Sequence, residues 1–285
     1  MSIMPKVSPT LPDVTRAPGD FSFDDRVRDN LAVRIYGRPN AAGNGALVLH
    51  FHGGAFVSGD LNSGATVARL LASAGAVVAS LDYPLAPSYP FPYASEAGYA
   101  ALEWAWQARE RLVGSQARLF VAGEEAGGNL AAAMALMVRD RQFPPLAGQI
   151  LLSPMLDACL GTASLRRSHA GSATCRWAAG WHHYLLDGRG TDHPYAIPGQ
   201  ARRLEGLPPT LVLTAADDPF RDEALAYRQR LGEAGVPTSA RELEGLTGWP
   251  TTFGEGASLS APWTEPVRAA FRSFLSETGA DAPLS

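Results

Sequence analysis

Residues 118–130, RLFVAGEEAGGNL, form the stretch from which the rest of the chain can be interpreted. Residues 119–121 are an apolar run of the length expected for a buried strand. Gly123 permits a sharp turn, and residues 126–138 then read as a helix. A strand, a tight turn and a helix are typical of a nucleophile elbow, where the central residue of G-x-S-x-G stands above a sheet. The central residue of this chain is Glu125.

Four motifs occur in the order found in one esterase family. They are GEEAGGN at residues 123–129, HGGAF at 52–56, DYPLAP at 82–87 and DPFRD at 218–222. In these motifs, from about residue 21 to residue 275, the chain resembles the hormone-sensitive-lipase-like branch of the α/β-hydrolase esterases. That branch carries G-[DE]-S-A-G-G-N, H-G-G-G-[FW], D-Y-R-L-A-P and D-P-L-R-D. The resemblance implies an α/β-hydrolase fold built on a carboxylesterase scaffold.

The order of predicted elements supports this fold. Strand-like runs alternate with helical segments, which favours a mostly parallel central sheet with helices on both faces. A length of 285 residues with 46% hydrophobic side chains suits a single domain over residues 1–285. We expect an irregular N-terminal arm at residues 1–20. The alternation is interrupted at about residues 157–199, which we interpret as a helical cap insertion.

Composition excludes several classes of function. A net charge of −4 and the lack of a basic patch argue against a nucleic-acid partner. No apolar stretch has the roughly 20 residues of a membrane span, and no secretory signal is evident, so we expect a cytoplasmic protein. Cys159 and Cys175 are expected to be free thiols. The histidine spacing does not indicate a metal site, and we expect no cofactor.

The resemblance assigns three backbone groups to an oxyanion hole and one carboxylate to a triad. The hole would be formed by the N–H groups of Gly53, Gly54 and Ala126, each worth about 2.7–4 kcal/mol in a transition state. Asp218 occupies the position of the aspartate that orients the triad histidine. An aspartate that caps the following helix is an equally good interpretation of Asp218.

The family histidine, in G-x-x-H-G-F, falls on Gly248 of the sequence GLTGWP at residues 245–250. No histidine follows His193, so the usual base is replaced as well as the usual nucleophile. We therefore do not expect standard serine-esterase activity from this degenerate triad. Two engineered point changes would not account for Trp249 and Pro250, which also depart from the family pattern.

Three chemical roles remain open for Glu125. It could act as a carboxylate nucleophile, although the resulting ester would need a base that Gly248 does not supply. It could act as a general acid or base beside a carbonyl group, which suits a lyase or an isomerase. It could also fold into the oxyanion hole and fill it, because helix-terminal N–H groups bind carboxylates. The third role would give a catalytically inactive pseudoenzyme that binds a ligand or a partner.

The predicted ligand is a small apolar acyl or carbonyl compound. Its pocket is predicted to be lined by aromatic and histidine side chains, with core or cap packing as the alternative for each: Phe56, Trp177, Trp181, His182, His183 and Trp249. His52 and Glu124 are expected to make structural hydrogen bonds. Relatives dimerise through the last strand and the closing helix, so a homodimer is a further expectation from the resemblance.

Overall fold

The chain is described by a computed structural model over residues 22–26, 31–38, 45–167, 172–186, 192–254 and 256–278. These described ranges contain eight strands: β1 Ser22–Arg26, β2 Ala32–Tyr36, β3 Ala46–Phe51, β4 Val77–Leu81, β5 Arg118–Glu124, β6 Gly148–Leu152, β7 Thr210–Ala215 and β8 Thr238–Leu243. The same part of the chain contains seven α-helices: α1 Ala65–Ser73, α2 Tyr93–Leu112, α3 Ala126–Arg141, α4 Ala163–Arg167, α5 Ser172–Tyr184, α6 Arg221–Glu233 and α7 Thr264–Glu277. The predicted N-terminal arm lies outside the described residues.

The strands form one sheet in the order β1-β2-β4-β3-β5-β6-β7-β8. β1 pairs with β2, and β2 with β4, in antiparallel register, whereas the pairs from β4 to β8 are parallel. This arrangement confirms the predicted mostly parallel sheet. It also brings the carboxyl ends of β3, β5, β6 and β7 to one edge, where ligand sites of such sheets form.

Alternating side chains of the sheet supply two hydrophobic clusters. In β3, Leu47 and Leu49 pack on the side of α2, α3 and α6, while Ala46 and Val48 pack on the side of α1 and α7. Because helices cover both faces, every residue of β3 is buried, and the strand reads as a continuous apolar run around His50.

A helical cap lies between β6 and β7 and contains α4 and α5. On α5, three aromatic side chains separated by about one turn are buried: Trp177, Trp181 and Tyr184. Both cysteines are free and exposed, as predicted. None of the helices that the structure describes is both long and apolar enough to cross a membrane.

Candidate functional site

The elbow conformation is present, with glutamate at its apex. Glu125 lies between β5 and α3 at φ 54° and ψ −119°, a region that costs a non-glycine residue about 1–3 kcal/mol. The Glu125 N–H donates to the Leu152 carbonyl oxygen (3.1 Å), and the Met155 N–H donates to the Glu125 carbonyl oxygen (3.0 Å). These bonds to the end of β6 hold the strained backbone in place.

Two glycines allow the backbones of β5, α3 and β3 to approach each other closely at the elbow. A Cβ at Gly123 would lie 2.1 Å from the carbonyl oxygen of Gly127, and a Cβ at Gly127 would lie 2.0 Å from that of Phe51. Side chains at these two positions would therefore separate α3 from β5 and β3. The strand-turn-helix interpretation of this stretch is correct, and the glycines are needed for close backbone contact.

The Glu125 carboxylate binds both the core and the cap. Its Oε2 accepts hydrogen bonds from the N–H of Gly54 (2.5 Å) and, more weakly, of Ala55 (3.4 Å). Its Oε1 accepts a hydrogen bond from the indole Nε1–H of Trp177 and lies 3.6 Å from Nη2 of Arg176. The side chain is only 5% exposed. A buried charge of this kind is stable only because several donors satisfy it.

The turn after β3 directs its N–H groups at residue 125. Gly54 has φ 125°, and a Cβ there would lie 1.9 Å from the Ser58 carbonyl oxygen. Ala55 and Phe56 also have positive φ, at 53° and 66°. This run of unusual backbone angles turns two successive N–H groups toward one point.

The donor set differs from the sequence-based assignment. The Gly53 N–H donates to Oε1 of Glu124 at 3.0 Å rather than to Glu125. The two N–H groups that reach residue 125 belong to Gly54 and Ala55. Ala126 is buried at the first position of α3, directly after the elbow. The motif did not reveal the Ala55 donor, because the direction of each N–H depends on the φ values of the turn.

A buried polar network lies beneath the elbow. Oε2 of Glu124 bonds to Nε2 of His50 at 2.7 Å, and Nδ1 of His50 bonds to the Ser80 hydroxyl at 3.0 Å. His52 donates through Nδ1 to the Gly53 carbonyl oxygen (2.7 Å). Burial lowers the pKa of His52, which favours the neutral ring. These contacts are structural hydrogen bonds that fix the turn.

Asp218 is enclosed by donors from neighbouring segments. Its Oδ1 accepts from the Ser153 hydroxyl (2.7 Å) and the Phe220 N–H (2.9 Å), and its Oδ2 accepts from the Thr214 hydroxyl (2.7 Å). The side chain is 1% exposed, and burial raises its pKa from 3.8 to about 6 against the effect of these bonds. The geometry is that of an aspartate that fixes the turn before α6.

Asp217, the neighbour of Asp218, binds the loop that contains Gly248. Oδ2 of Asp217 accepts from the N–H groups of Thr247 and Gly248, each at 2.8 Å. Gly248 has φ 70°, and a Cβ there would lie 2.9 Å from Cγ2 of Thr252. The loop is therefore built around a glycine, and a histidine side chain at this position would be strained.

The cap and the turn share an aromatic cluster, which we call the cap cluster: Phe56, Trp177, Trp181, Tyr184 and Phe220. Phe56 stacks on Tyr184 with ring centroids 4.1 Å apart, and Trp177 meets Phe220 edge-on at 4.7 Å. All five side chains are buried. Among the described residues, Trp181 Nε1 and the Tyr184 hydroxyl have no hydrogen-bond partner.

The other predicted pocket residues lie apart from this cluster. Trp249 packs against Phe253 and Trp263, on the sheet face that carries α1 and α7. His182 is exposed and His183 is partly buried, with their rings 5.4 Å apart. Within the described ranges, no group of His, Cys, Asp or Glu side chains is arranged to hold a metal ion.

Several contributors to the site were not predicted from the sequence. Arg176 and Gly180 belong to α5, and a Cβ at Gly180 would lie 2.2 Å from the Ala55 carbonyl oxygen. Phe220 is the variable position of DPFRD. A glycine among the aromatic residues of α5 was a signal of close helix approach that the periodicity alone did not reveal.

Comparison with known proteins supports the resemblance. The sequence profile of a family described as alpha/beta hydrolase fold matches residues 48–248. Esterase LipI of Mycobacterium tuberculosis is 35% identical over 227 residues, which are 76% of this chain and 69% of that protein. Gibberellin receptor GID1C of Arabidopsis thaliana is 32% identical over 262 residues, covering 80% of this chain and 74% of the receptor.

A solved structure is similar across most of the chain. The crystal structure of a thermostable esterase from Pseudomonas putida matches with a TM-score of 0.78 and 30% sequence identity. The match covers 90% of this chain and 84% of that chain. At this identity and coverage, the two chains share the same overall fold.

Proposed function

The chain belongs to the α/β-hydrolase fold family, and we propose that it is a non-hydrolysing member that binds a small, neutral acyl or carbonyl compound. It uses an esterase scaffold whose catalytic centre is closed by its own glutamate. The protein is thus a pseudoenzyme for ester hydrolysis, with binding as its function.

The position of the Glu125 carboxylate is the observation that supports this proposal. In an esterase of this fold, N–H groups of the turn after β3 hold the oxyanion of the tetrahedral intermediate. Here the Gly54 and Ala55 N–H groups already donate to Glu125 Oε2. An ester carbonyl would have to displace a buried carboxylate to reach them. Because Gly248 supplies no imidazole, no base is present at the usual position to activate a nucleophile.

The unpartnered donors of the cap cluster support the choice of ligand. Trp181 Nε1 and the Tyr184 hydroxyl are buried among apolar rings, where an unpaired polar group costs about 1–3 kcal/mol. A carbonyl or ester oxygen would satisfy either donor. The negative charge of nearby Glu125 disfavours an anionic ligand. A relative that is a gibberellin receptor supports a binding role for this scaffold.

Proton abstraction by Glu125, as in a lyase or an isomerase, is less well supported. Oε2 accepts from the backbone and Oε1 from Trp177, so both oxygens are already engaged by donors. A substrate proton could reach either oxygen only by displacing one of these donors. A nucleophilic role would require the water-activating base that position 248 does not provide.

The proposal has two further features. The first is a cytoplasmic location, which the sequence predicts. The second is a homodimer, with β8 as the contact, because β8 ends the sheet and its residues 239–242 are exposed. Exposed edge strands pair readily with a second chain.

The test is release of p-nitrophenol from a short-chain p-nitrophenyl ester by the native protein and Glu125→Ala. We expect both proteins to match the rate in buffer. Glu110→Ala removes an exposed glutamate from α2 and controls for the loss of a carboxylate. Release by the native protein that disappears in Glu125→Ala, but not in Glu110→Ala, would show that the carboxylate is catalytic and would overturn the proposal.

Binding is tested separately with the same ester as ligand. We expect a saturable change in tryptophan fluorescence without release of p-nitrophenol. Tyr184→Phe removes one unpartnered donor and is expected to weaken binding about tenfold, which is the effect of one hydrogen bond. Equal affinity of the native protein and Tyr184→Phe would refute the assignment of this donor.

A further inference from the structure

The Glu125 carboxylate lies between two parts of the molecule that are distant in sequence. Gly54 and Ala55 contribute backbone donors from the turn after β3. Trp177 and Arg176 contribute an indole N–H and a guanidinium group from α5 of the cap. The carboxylate is therefore the common acceptor of donors from the core and from the cap.

We propose that these four groups form a carboxylate-binding site, and that Glu125 is its built-in ligand and fastens α5 onto the core. The indole of Trp177 is 1% exposed, so its N–H cannot be satisfied by bulk water. Two successive backbone N–H groups and a cation nearby match the acceptor geometry and the charge of a carboxylate.

The packing of α5 explains why this site controls the cap. Gly180 brings the α5 backbone against Ala55, and the Phe91 N–H donates to the Tyr184 carbonyl oxygen (2.8 Å) at the carboxyl end of the helix. In the amino-terminal half of α5, the indole N–H of Trp177 donates to Oε1 of Glu125. Loss of the Glu125 carboxylate is therefore expected to free that half first.

The inference rests on the proposed function in one respect, since both require the carboxylate to occupy the oxyanion position rather than to react. It goes further in two respects. It assigns a carboxylate as the group that the four residues bind, and in the native protein Glu125 itself supplies that carboxylate. It also makes Glu125 a positioning residue for α5 of the cap.

Hydrogen exchange of the α5 backbone amides tests the proposal without any ligand of the cap cluster. In Glu125→Ala we expect exchange of these amides to be at least about tenfold faster than in the native protein, because charge-assisted hydrogen bonds are lost. Amides of α7, which packs on the opposite face of the sheet from the cap, serve as the internal reference. Unchanged exchange in α5 would overturn the proposal.

Acetate supplies the second arm of the test. In Glu125→Ala, about 50 mM sodium acetate is expected to slow α5 exchange back toward the native rate, whereas sodium chloride at equal ionic strength is not. Acetate should leave the native protein unchanged, because Glu125 already fills the site. An equal effect of acetate and chloride would refute a carboxylate site. Rescue that persists in Glu125→Ala/Trp177→Phe would refute the role of the indole.

A matched pair of variants keeps the test decisive if Glu125→Ala does not fold. Trp177→Phe and Trp181→Phe each remove an indole from a buried position of α5, but only Trp177 donates to Glu125. We expect faster α5 exchange in Trp177→Phe alone. Equal exchange in the two variants would overturn the proposal.

The two proposals fail in different ways. Ester hydrolysis that depends on Glu125 would overturn the proposed function, but it would not change the exchange rates measured for the α5 amides. Unchanged exchange would overturn the fastening role and leave the absence of hydrolysis as it is.

Discussion

Replacement of Asp218 by asparagine is expected to change how the stability of the protein depends on pH. The carboxyl group is 1% exposed, and burial raises its pKa from 3.8 to about 6. In the folded protein it therefore binds a proton more readily than in the unfolded chain. Between pH 4 and pH 6 the folded state holds more protons at this group, so its contribution to stability falls as pH rises.

The size of the effect follows from that difference in pKa. Each pH unit is worth 1.36 kcal/mol, so the rise from 3.8 to about 6 corresponds to roughly 3 kcal/mol. Above pH 6 the native protein carries this cost in full, because Asp218 is then charged and buried. Asparagine has nearly the same shape and stays neutral. Its amide can donate to the Thr214 hydroxyl, while its oxygen accepts from Ser153 and Phe220.

The assay is urea unfolding of the native protein and Asp218→Asn, followed by circular dichroism from pH 4 to pH 7.5. The free energy of unfolding of the variant minus that of the native protein should rise by about 2.4 kcal/mol over this range, because part of the full difference of roughly 3 kcal/mol is already present at pH 4. The exposed Asp192→Asn is the control for loss of a carboxylate. A difference that is flat, or that falls with pH, would show that burial does not dominate the environment of Asp218.

Two further predictions concern the scaffold of the site, and both are measured as free energies of unfolding in urea. Gly123→Ala is expected to cost about 3 kcal/mol or more, because its Cβ would lie 2.1 Å from a backbone oxygen of α3. Gly161→Ala is the control. It should change the free energy of unfolding by less than about 0.5 kcal/mol, because the nearest atom to its Cβ is 3.8 Å away. Glu124→Ala should cost about 3 kcal/mol, because it leaves the buried His50 ring and the half-buried Gly53 N–H without their acceptor. A loss below about 1 kcal/mol would contradict the reasoning for Gly123 or for Glu124.

Much of the fold could be predicted from local sequence patterns. The buried strands read as short apolar runs separated by helical segments, and this alternation dictates a parallel sheet. Residues 118–130 also predicted the elbow, because glycine is the residue that permits such close backbone contact. The cap was predicted from the interruption of the alternation.

The functional centre was only partly predictable. The sequence predicted that Glu125 and Gly248 lie at the nucleophile and histidine positions of the resembled family. It also predicted Gly53 and Gly54 as oxyanion donors of this turn, and in the structure the N–H groups that donate to Glu125 belong to Gly54 and Ala55. Motif spacing cannot decide which N–H of a turn points at the elbow, because that depends on the φ values of the turn.

The sequence by itself determined that the residue at the elbow is a glutamate and that residue 248 is a glycine. Only the tertiary structure decided that the Glu125 carboxylate accepts hydrogen bonds from the Gly54 N–H on one side and from the Trp177 indole on the other. These residues are 71 and 52 positions away from Glu125 in the chain. Their contact depends on how α5 docks on the core, which local propensity does not encode. A buried carboxylate takes the orientation that satisfies most of its lone pairs, and the donors that satisfy them exist only in the assembled fold.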